Sequence, residues 1–210
     1  MPRPFDPTEA HRYPAVIGCD EVGRGALCGP VVVAAVWFEP TAVPPELFGA
    51  LDDSKRLPPR TREALAAEIS RVALVGMAAT SAAQIDRRGI RTMTLDAMRR
   101  AVLRLGIGEP VRVDGLDIPP GLGLPCEAVV KGDATIPQIA AASIIAKTCR
   151  DRLMARLGAR HPGYRWHRNA GYGTAEHLAA LARLGPTRHH RQSFGPVSQA
   201  SLALGAPADQ

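Results

Sequence analysis

Two patterns of apolar and polar positions divide this chain. Near its start, Ala15-Val16-Ile17-Gly18-Cys19 and Pro30-Val31-Val32-Val33-Ala34-Ala35-Val36-Trp37-Phe38 are unbroken apolar runs rich in β-branched residues. They predict strands over 15–20 and 31–38, joined as a hairpin by a glycine-rich turn. Further on, short β-like runs alternate with helical periodicity. A polar loop at 52–59 leads through Pro58-Pro59 into a helix over about 60–70, and a short strand follows over 72–79. An amphipathic helix over 92–105 stops at Gly106. Strands are predicted at 110–115 and 127–130, the longest helix at 138–157, and a last helix at 174–184 that ends at Gly185-Pro186. Strands that begin as a hairpin and then alternate with helices predict an α/β domain with a mixed sheet flanked by helices. Residues 1–13 and 198–210 read as flexible tails, 14–149 as the core, and 150–197 as a helical extension of the same domain.

Carboxylates mark the ends of these predicted strands. Asp20 and Glu21 close the first, Asp114 ends the fourth, and Asp133 follows the fifth in Lys131-Gly132-Asp133. Neighbouring strand ends of an α/β sheet form a rim where ligands bind. Four carboxylates gathered there repel one another, and hard cations with oxygen ligands relieve that repulsion. Mg²⁺ or Mn²⁺ suits such a donor set better than Zn²⁺. Two such ions about 4 Å apart activate water and stabilise the leaving oxygen in phosphodiester hydrolysis. Adjacent strand residues point to opposite faces, so Asp20 and Glu21 share a ligand only if the strand bulges or bends there. For Asp133 the competing reading is a cap on the helix that follows.

Charge narrows the partner. Between Arg150 and Arg191 lie nine arginines against Asp151 and Glu176, a net of +7, while the rest of the chain has 17 basic and 18 acidic residues, a net of −1. His161, His167, His177, His189 and His190 fall in the same segment, with Tyr164, Trp166, Tyr172 and Phe194 interleaved. A basic block with aromatics points to a polyanion, and nucleic acid is the expected partner. The only lysines are Lys55, Lys131 and Lys147, each in a motif-like setting. Cys19, Cys28, Cys126 and Cys149 show no C-x-x-C spacing and read as small buried thiols of a reducing cytosol. The first residues have no apolar segment of a signal peptide. The longest apolar run is far short of the roughly 18 residues a membrane span needs. A cytoplasmic monomer is the expectation.

Other chemistries fit less well. A strand follows the Gly23-Arg24-Gly25 turn, whereas dinucleotide and phosphate loops require a helix there. The remaining choices for that turn are a plain connection or one whose backbone approaches a ligand. Ser143 and Lys147 share a helix face but lack an oxyanion partner, so a polar patch near the carboxylates is preferred to a Ser-Lys hydrolase. The histidines have no zinc-like spacing. Two further classes remain beside a metal-dependent endonuclease. One is a binding protein with a degenerate site, which has no need of four carboxylates near a polyanion. The other is an acidic-cluster exonuclease, which cuts at ends.

Taken in order, GCDEVGRGALCGPVVVAAV, DDSKRL, VDG, KGDATIPQIAAASIIAKTCRD and NAGYGTAEH…HHRQSF resemble ribonuclease HII, the type 2 ribonuclease H family, from about Val16 to Val197. Val22, where the family usually has Ala, and Ala26-Leu27-Cys28 are small departures that remove no functional group. The resemblance implies a ribonuclease H-like fold with a basic C-terminal helical extension. It implies cleavage of the RNA strand of RNA–DNA hybrids, and cleavage 5′ of single ribonucleotides in duplex DNA, leaving 5′-phosphate and 3′-hydroxyl ends. It assigns metal binding and catalysis, with two Mn²⁺ or Mg²⁺ ions once substrate is bound, to Asp20, Glu21, Asp114 and Asp133. It assigns reading of the ribose 2′-OH to Gly23, Arg24 and Gly25, and junction sensing to Tyr172. Ser54, Lys55, Ser143, Lys147, Arg165 and Arg168 complete the expected substrate contacts.

Overall fold

The computed structural model describes residues 5–205. The chain divides into two compact units: the first takes residues up to Val22, Val32–Ala79 and Thr94–Cys149, the second Gly23–Val31, Thr80–Met93 and the residues from Arg150 on. One passage between units falls between Cys149 and Arg150. The second unit also takes in two earlier segments, one of them the glycine-rich turn between β1 and β2.

The sheet contains β1 (Ile17–Val22), β2 (Val31–Trp37), β3 (Leu74–Thr80), β4 (Val111–Asp114) and β5 (Cys126–Val129), in the order β3-β2-β1-β4-β5. β1 pairs antiparallel with β2 and parallel with β4, and β4 pairs parallel with β5. It is the mixed, helix-flanked sheet that the sequence predicts. β1 and β2 are central, which is why they read as continuous apolar runs: a strand covered on both faces has no solvent side on which to place polar residues.

Helices α1 (Pro45–Phe48), α2 (Pro59–Val72), α3 (Ala82–Arg88) and α4 (Ile90–Leu103) connect strands, and α5 (Pro137–Arg160), α6 (Trp166–Asn169), α7 (Ala175–Leu184) and α8 (Gly195–Gly205) follow the last one. The alanines of α5 are what let it lie close to the sheet. Ala140, Ala141, Ala142 and Ala146 are fully buried and share a core with Ala34, Val36, Leu65 and Ile69. At Gly18 on β1 a Cβ would stand 2.2 Å from the Gln138 carbonyl carbon, so β1 needs glycine where α5 begins. The second unit has smaller cores of its own, one around Met154, Tyr164 and Trp166 and another around Leu27, Leu181 and Val197.

Several expectations are revised. The expected tail 1–13 contains a 3-10 helix at Pro7–Arg12 and a fully buried Phe5, whose ring meets Tyr13 and Phe48 edge-on. Part of the expected tail 198–210 belongs to α8. Residues 1–4 and 206–210 of those two segments lie outside the described residues. The helix α3 was not anticipated, although Ser81 and Gln84 form a complete capping box at its start. Cys19 and Cys28 are buried, but Cys126 and Cys149 are only half-buried, and none of the four forms a disulfide. Among the described residues no helix is long and apolar enough to cross a membrane.

Candidate active site

The carboxylates of the first unit lie where the topology brings strand ends together. β1 and β4 run parallel with Cys19 opposite Val113, so Asp20 and Asp114 follow at the same level on adjacent strands. Asp114 in turn stands opposite Val129 of β5, after which Lys131 takes a left-handed turn at φ 55° into the Gly132–Ala134 3-10 helix that carries Asp133. Gly132 N–H donates to Asp114 Oδ1 at 2.8 Å, fixing that carboxylate against the turn. Asp133 accepts from the adjacent Ala134 N–H from within that 3-10 helix, and α5 begins only at Pro137, so it does not cap α5.

Asp20 is the most perturbed member. It is buried, and desolvation pushes its carboxyl up to about 8, with the charges of Glu21 and then Asp114 adding to the effect. The Glu21 N–H donates to Asp20 Oδ1 at 2.7 Å, and the Ser143 hydroxyl also bonds the carboxylate; both favour the ionised form. Asp133 is raised too, first by burial, then by Asp114 and Asp53, while Lys55 opposes the shift. A raised carboxyl here is the sign of negative charge gathered in a dry place without its counter-ion.

Two features differ from expectation. The β1–β2 ladder runs in regular register through Asp20 opposite Ala34 and Glu21 opposite Val33, so β1 carries no bulge there. Consistently, Asp20 is buried while Glu21 is half-exposed. Further, among the described residues no three His, Cys, Asp or Glu side chains stand close enough to hold a metal ion as they lie. The donor set is all-oxygen and its buried member lacks charge compensation, so it fits a hard divalent cation, with side-chain rotation needed to close around one.

Ser54 and Ser143 were expected to touch substrate. Both are buried, their hydroxyls are 2.9 Å apart, and Ser143 bonds Asp20, so they serve the carboxylate from inside the unit. Ser54 is held by Arg62, whose Nη1 donates to the Ser54 carbonyl at 2.8 Å. Lys55 is exposed and Lys147 half-buried.

The other expected contacts lie in the second unit. Gly23 is buried at φ 94°, while Arg24 and Gly25 are exposed. Nothing lies within 4 Å of a Cβ built at Gly25, so no protein atom excludes a side chain there. The loop is tied to the Tyr172 loop through Leu27 N–H, which donates to the Gly171 carbonyl at 2.8 Å. Tyr172 is half-exposed, and Arg150 lies 5.4 Å from its ring centre. Arg165 and Arg168 are exposed, and both approach Glu176, at 2.8 and 3.8 Å.

The basic, aromatic segment is less superficial than its sequence suggests. Tyr164, Trp166, His177, His190, Arg150 and Arg191 are all buried. Thr187 N–H donates to His190 Nδ1 at 2.9 Å, which leaves the His190 proton on Nε2, facing His177 Nε2 at 3.1 Å. Trp166 Nε1–H donates to the same His177 nitrogen at 3.1 Å, so His177 carries its proton on Nδ1 and donates to the Tyr172 carbonyl at 2.9 Å. Both rings are thus neutral. Burial lowers both histidines and is the main cause that brings His190 down to about 4. This network is not legible in the sequence, because a buried and an exposed histidine read alike.

Comparison with known proteins agrees with the geometry. The ribonuclease HII family model matches residues 17–197. A ribonuclease HII from Paramagnetospirillum magneticum is 53% identical over 188 residues, 89% of this chain and 93% of that one. One from Cereibacter sphaeroides is 51% identical over 193 residues, 90% of this chain and 87% of its own. The solved PCNA:RNase HII complex from Archaeoglobus fulgidus matches with a TM-score of 0.73 at 28% identity, covering 86% of this chain and 95% of that one. Bst-RNase HIII in complex with Mn²⁺ shares the fold, with a TM-score of 0.74 at 20% identity over 94% of this chain and 73% of that one.

Proposed function

This chain belongs to the ribonuclease HII family of ribonucleases, and from that premise we propose that it cuts the RNA strand of RNA–DNA hybrids and incises duplex DNA 5′ of single embedded ribonucleotides. The products are 5′-phosphate and 3′-hydroxyl ends, and the enzyme acts as a cytoplasmic monomer. The observation that carries the reading is Asp20: a buried carboxylate at the end of a central strand, raised to about 8 beside Glu21 and Asp114. Such a group is unfavourable for folding unless a cation joins it.

Asp20, Glu21, Asp114 and Asp133 would hold Mg²⁺ or Mn²⁺, which when bound supplies charge stabilisation at the scissile phosphate and a water of lowered pKa. The protein's own work is positional. Ser143, backed by Ser54, orients Asp20, and the Gly132 N–H orients Asp114. Lys55 and Lys147 supply cations near the carboxylates, and Arg165 and Arg168 contact phosphates further along the substrate. Gly23, Arg24 and Gly25 meet the ribose 2′-OH, the group that distinguishes RNA from DNA at one nucleotide. Tyr172 offers a flat face and a hydroxyl to the RNA-to-DNA junction.

A panel of end-labelled duplexes tests the substrate class: RNA–DNA hybrid, DNA with one ribonucleotide, all-RNA and all-DNA. Internal cleavage of the first two alone is expected. Shortening from the ends, or equal cleavage of all-DNA, would overturn the reading.

A further inference from the structure

Two guanidiniums lie beneath the loops of the second unit. Arg191 is fully buried; its Nη1 donates to the Arg24 carbonyl at 2.7 Å, its Nη2 to those of Gly23 at 2.7 Å and Gly29 at 3.0 Å, and its Nε to Gly29 at 3.1 Å. Arg150, also fully buried, donates to the carbonyls of Pro30 at 2.9 Å, Ala170 at 2.8 Å and Cys28 at 3.1 Å. Every acceptor is a main-chain oxygen. Ala170 is itself left-handed at φ 47°, two residues before Tyr172. Gly23 packs so closely that a Cβ would stand 2.2 Å from Arg150 Nε.

Burying two cations side by side is unfavourable, and packing alone is served as well by apolar side chains. A guanidinium offers something else: donors in a fixed plane that dictate where each acceptor points. The peptide is planar and trans, so a carbonyl and the following N–H point in opposite directions. Fixing the Gly23 carbonyl therefore fixes the Arg24 N–H, and fixing the Arg24 carbonyl fixes the Gly25 N–H. Both amides are directed away from the buried guanidinium, at the two residues of the turn that are exposed. Gly25 has open space before it, so its lack of a side chain leaves room for something outside the protein.

We propose that Arg191 is a positioning residue for ribose recognition, setting the direction of the Arg24 and Gly25 amides, while Arg150 holds the other limb of the same loop and the Tyr172 loop. The inference rests on the ribose-reading role proposed above for the Gly23-Arg24-Gly25 turn.

The test uses the full chain and two duplexes of one sequence, one all-DNA and one with a single ribonucleotide. The apparent KM for the second is compared with the inhibition constant of the first. Arg191→Lys keeps the charge but loses the planar fork. It should raise the apparent KM at least tenfold, towards the all-DNA inhibition constant, and change that constant less than twofold. A variant that is merely less well folded lowers kcat at constant KM, which would overturn the proposal. Asp86→Ala is the second variant, should Arg191→Lys not fold. Asp86 accepts from the N–H groups of Gln192 at 3.0 Å and Ser193 at 2.9 Å, holding the segment that follows Arg191 from a half-buried site. It should raise the same KM about threefold, and an unchanged value would also overturn the proposal. If the wild-type enzyme fails to distinguish the two duplexes, the ribose-reading role itself falls; if it distinguishes them and both variants do so equally, only the role of Arg191 falls.

Discussion

Replacing Asp20 by Asn should stabilise this protein in the absence of metal, and by an amount that depends on pH in a defined way. The side chains are nearly isosteric, and the Asn carbonyl still accepts from the Glu21 N–H. What changes is ionisation. The carboxyl is raised from an ordinary 3.8 to about 8, chiefly by burial and then by Glu21 and Asp114. A group whose folded pKa is raised favours folding below its unfolded pKa and loses that contribution as pH rises to the folded value. Between pH 4 and 8 the loss is about 1.4 kcal/mol per pH unit, a ceiling of roughly 6 kcal/mol above pH 8 and about 4 kcal/mol at pH 7. For a chain of this size 1 kcal/mol moves Tm by roughly 2–4 °C. Thermal melts in chelator should therefore show Asp20→Asn melting at least ~4 °C above wild type at pH 8.5, with the gap closing as pH falls to the ordinary carboxyl value of 3.8. Adding Mg²⁺ or Mn²⁺ should raise the wild-type Tm and leave the variant unmoved, while cleavage by the variant is lost. A variant that is equally or less stable than wild type at pH 8.5 would refute the claim that Asp20 is an uncompensated buried charge.

Other outcomes follow from the same geometry. Gly25→Ala should leave Tm unchanged yet weaken selection of ribonucleotides, because its Cβ meets no protein atom, whereas Gly23→Ala should also lower Tm, since it combines φ 94° with a contact at 2.2 Å; paired melts and substrate competition separate the two. Tyr172→Ala should slow cleavage at single ribonucleotides by roughly 5- to 100-fold, the worth of one stacking contact, and long hybrids less; equal losses on both substrates would reduce Tyr172 to a packing residue. Neutralising Arg165 and Arg168 together should reduce the slope of log K against log salt by about 1 to 2, with kcat unchanged, and an unchanged slope would remove them from the phosphate contacts. His190 is lowered from 6.5 to about 4, so it favours folding above pH 6.5 and that contribution is lost as pH falls towards 4; wild type should lose up to roughly 3 kcal/mol over that interval relative to His190→Asn, measured by denaturant titration at each pH.

The sheet was legible because its central strands write burial on both faces directly into sequence, and the placement of Asp20, Asp114 and Asp133 at or just after strand ends was legible for the same reason. What sequence could not convey is the destination of polar side chains. Arg150 and Arg191 look like the exposed arginines around them, yet they are buried under the loops they bind. Ser54 and Ser143 are 89 positions apart and meet only through folding. A ligand shared by Asp20 and Glu21 was tied to a bend or bulge of the strand, and the ladder there runs in regular register. Local signals were also passed over: the capping box at Ser81 and Gln84 marks α3 plainly.

The most direct measurement is cleavage of a DNA duplex carrying one internal ribonucleotide, followed at single-nucleotide resolution with Mg²⁺ or Mn²⁺ and again in excess chelator. The expected result is one cut 5′ of the ribonucleotide, leaving 3′-hydroxyl and 5′-phosphate ends, present with either metal and absent in chelator and in Asp114→Asn. Undiminished cleavage in chelator, or a cut that does not depend on Asp114, would contradict the assignment of these carboxylates as a metal-dependent catalytic centre.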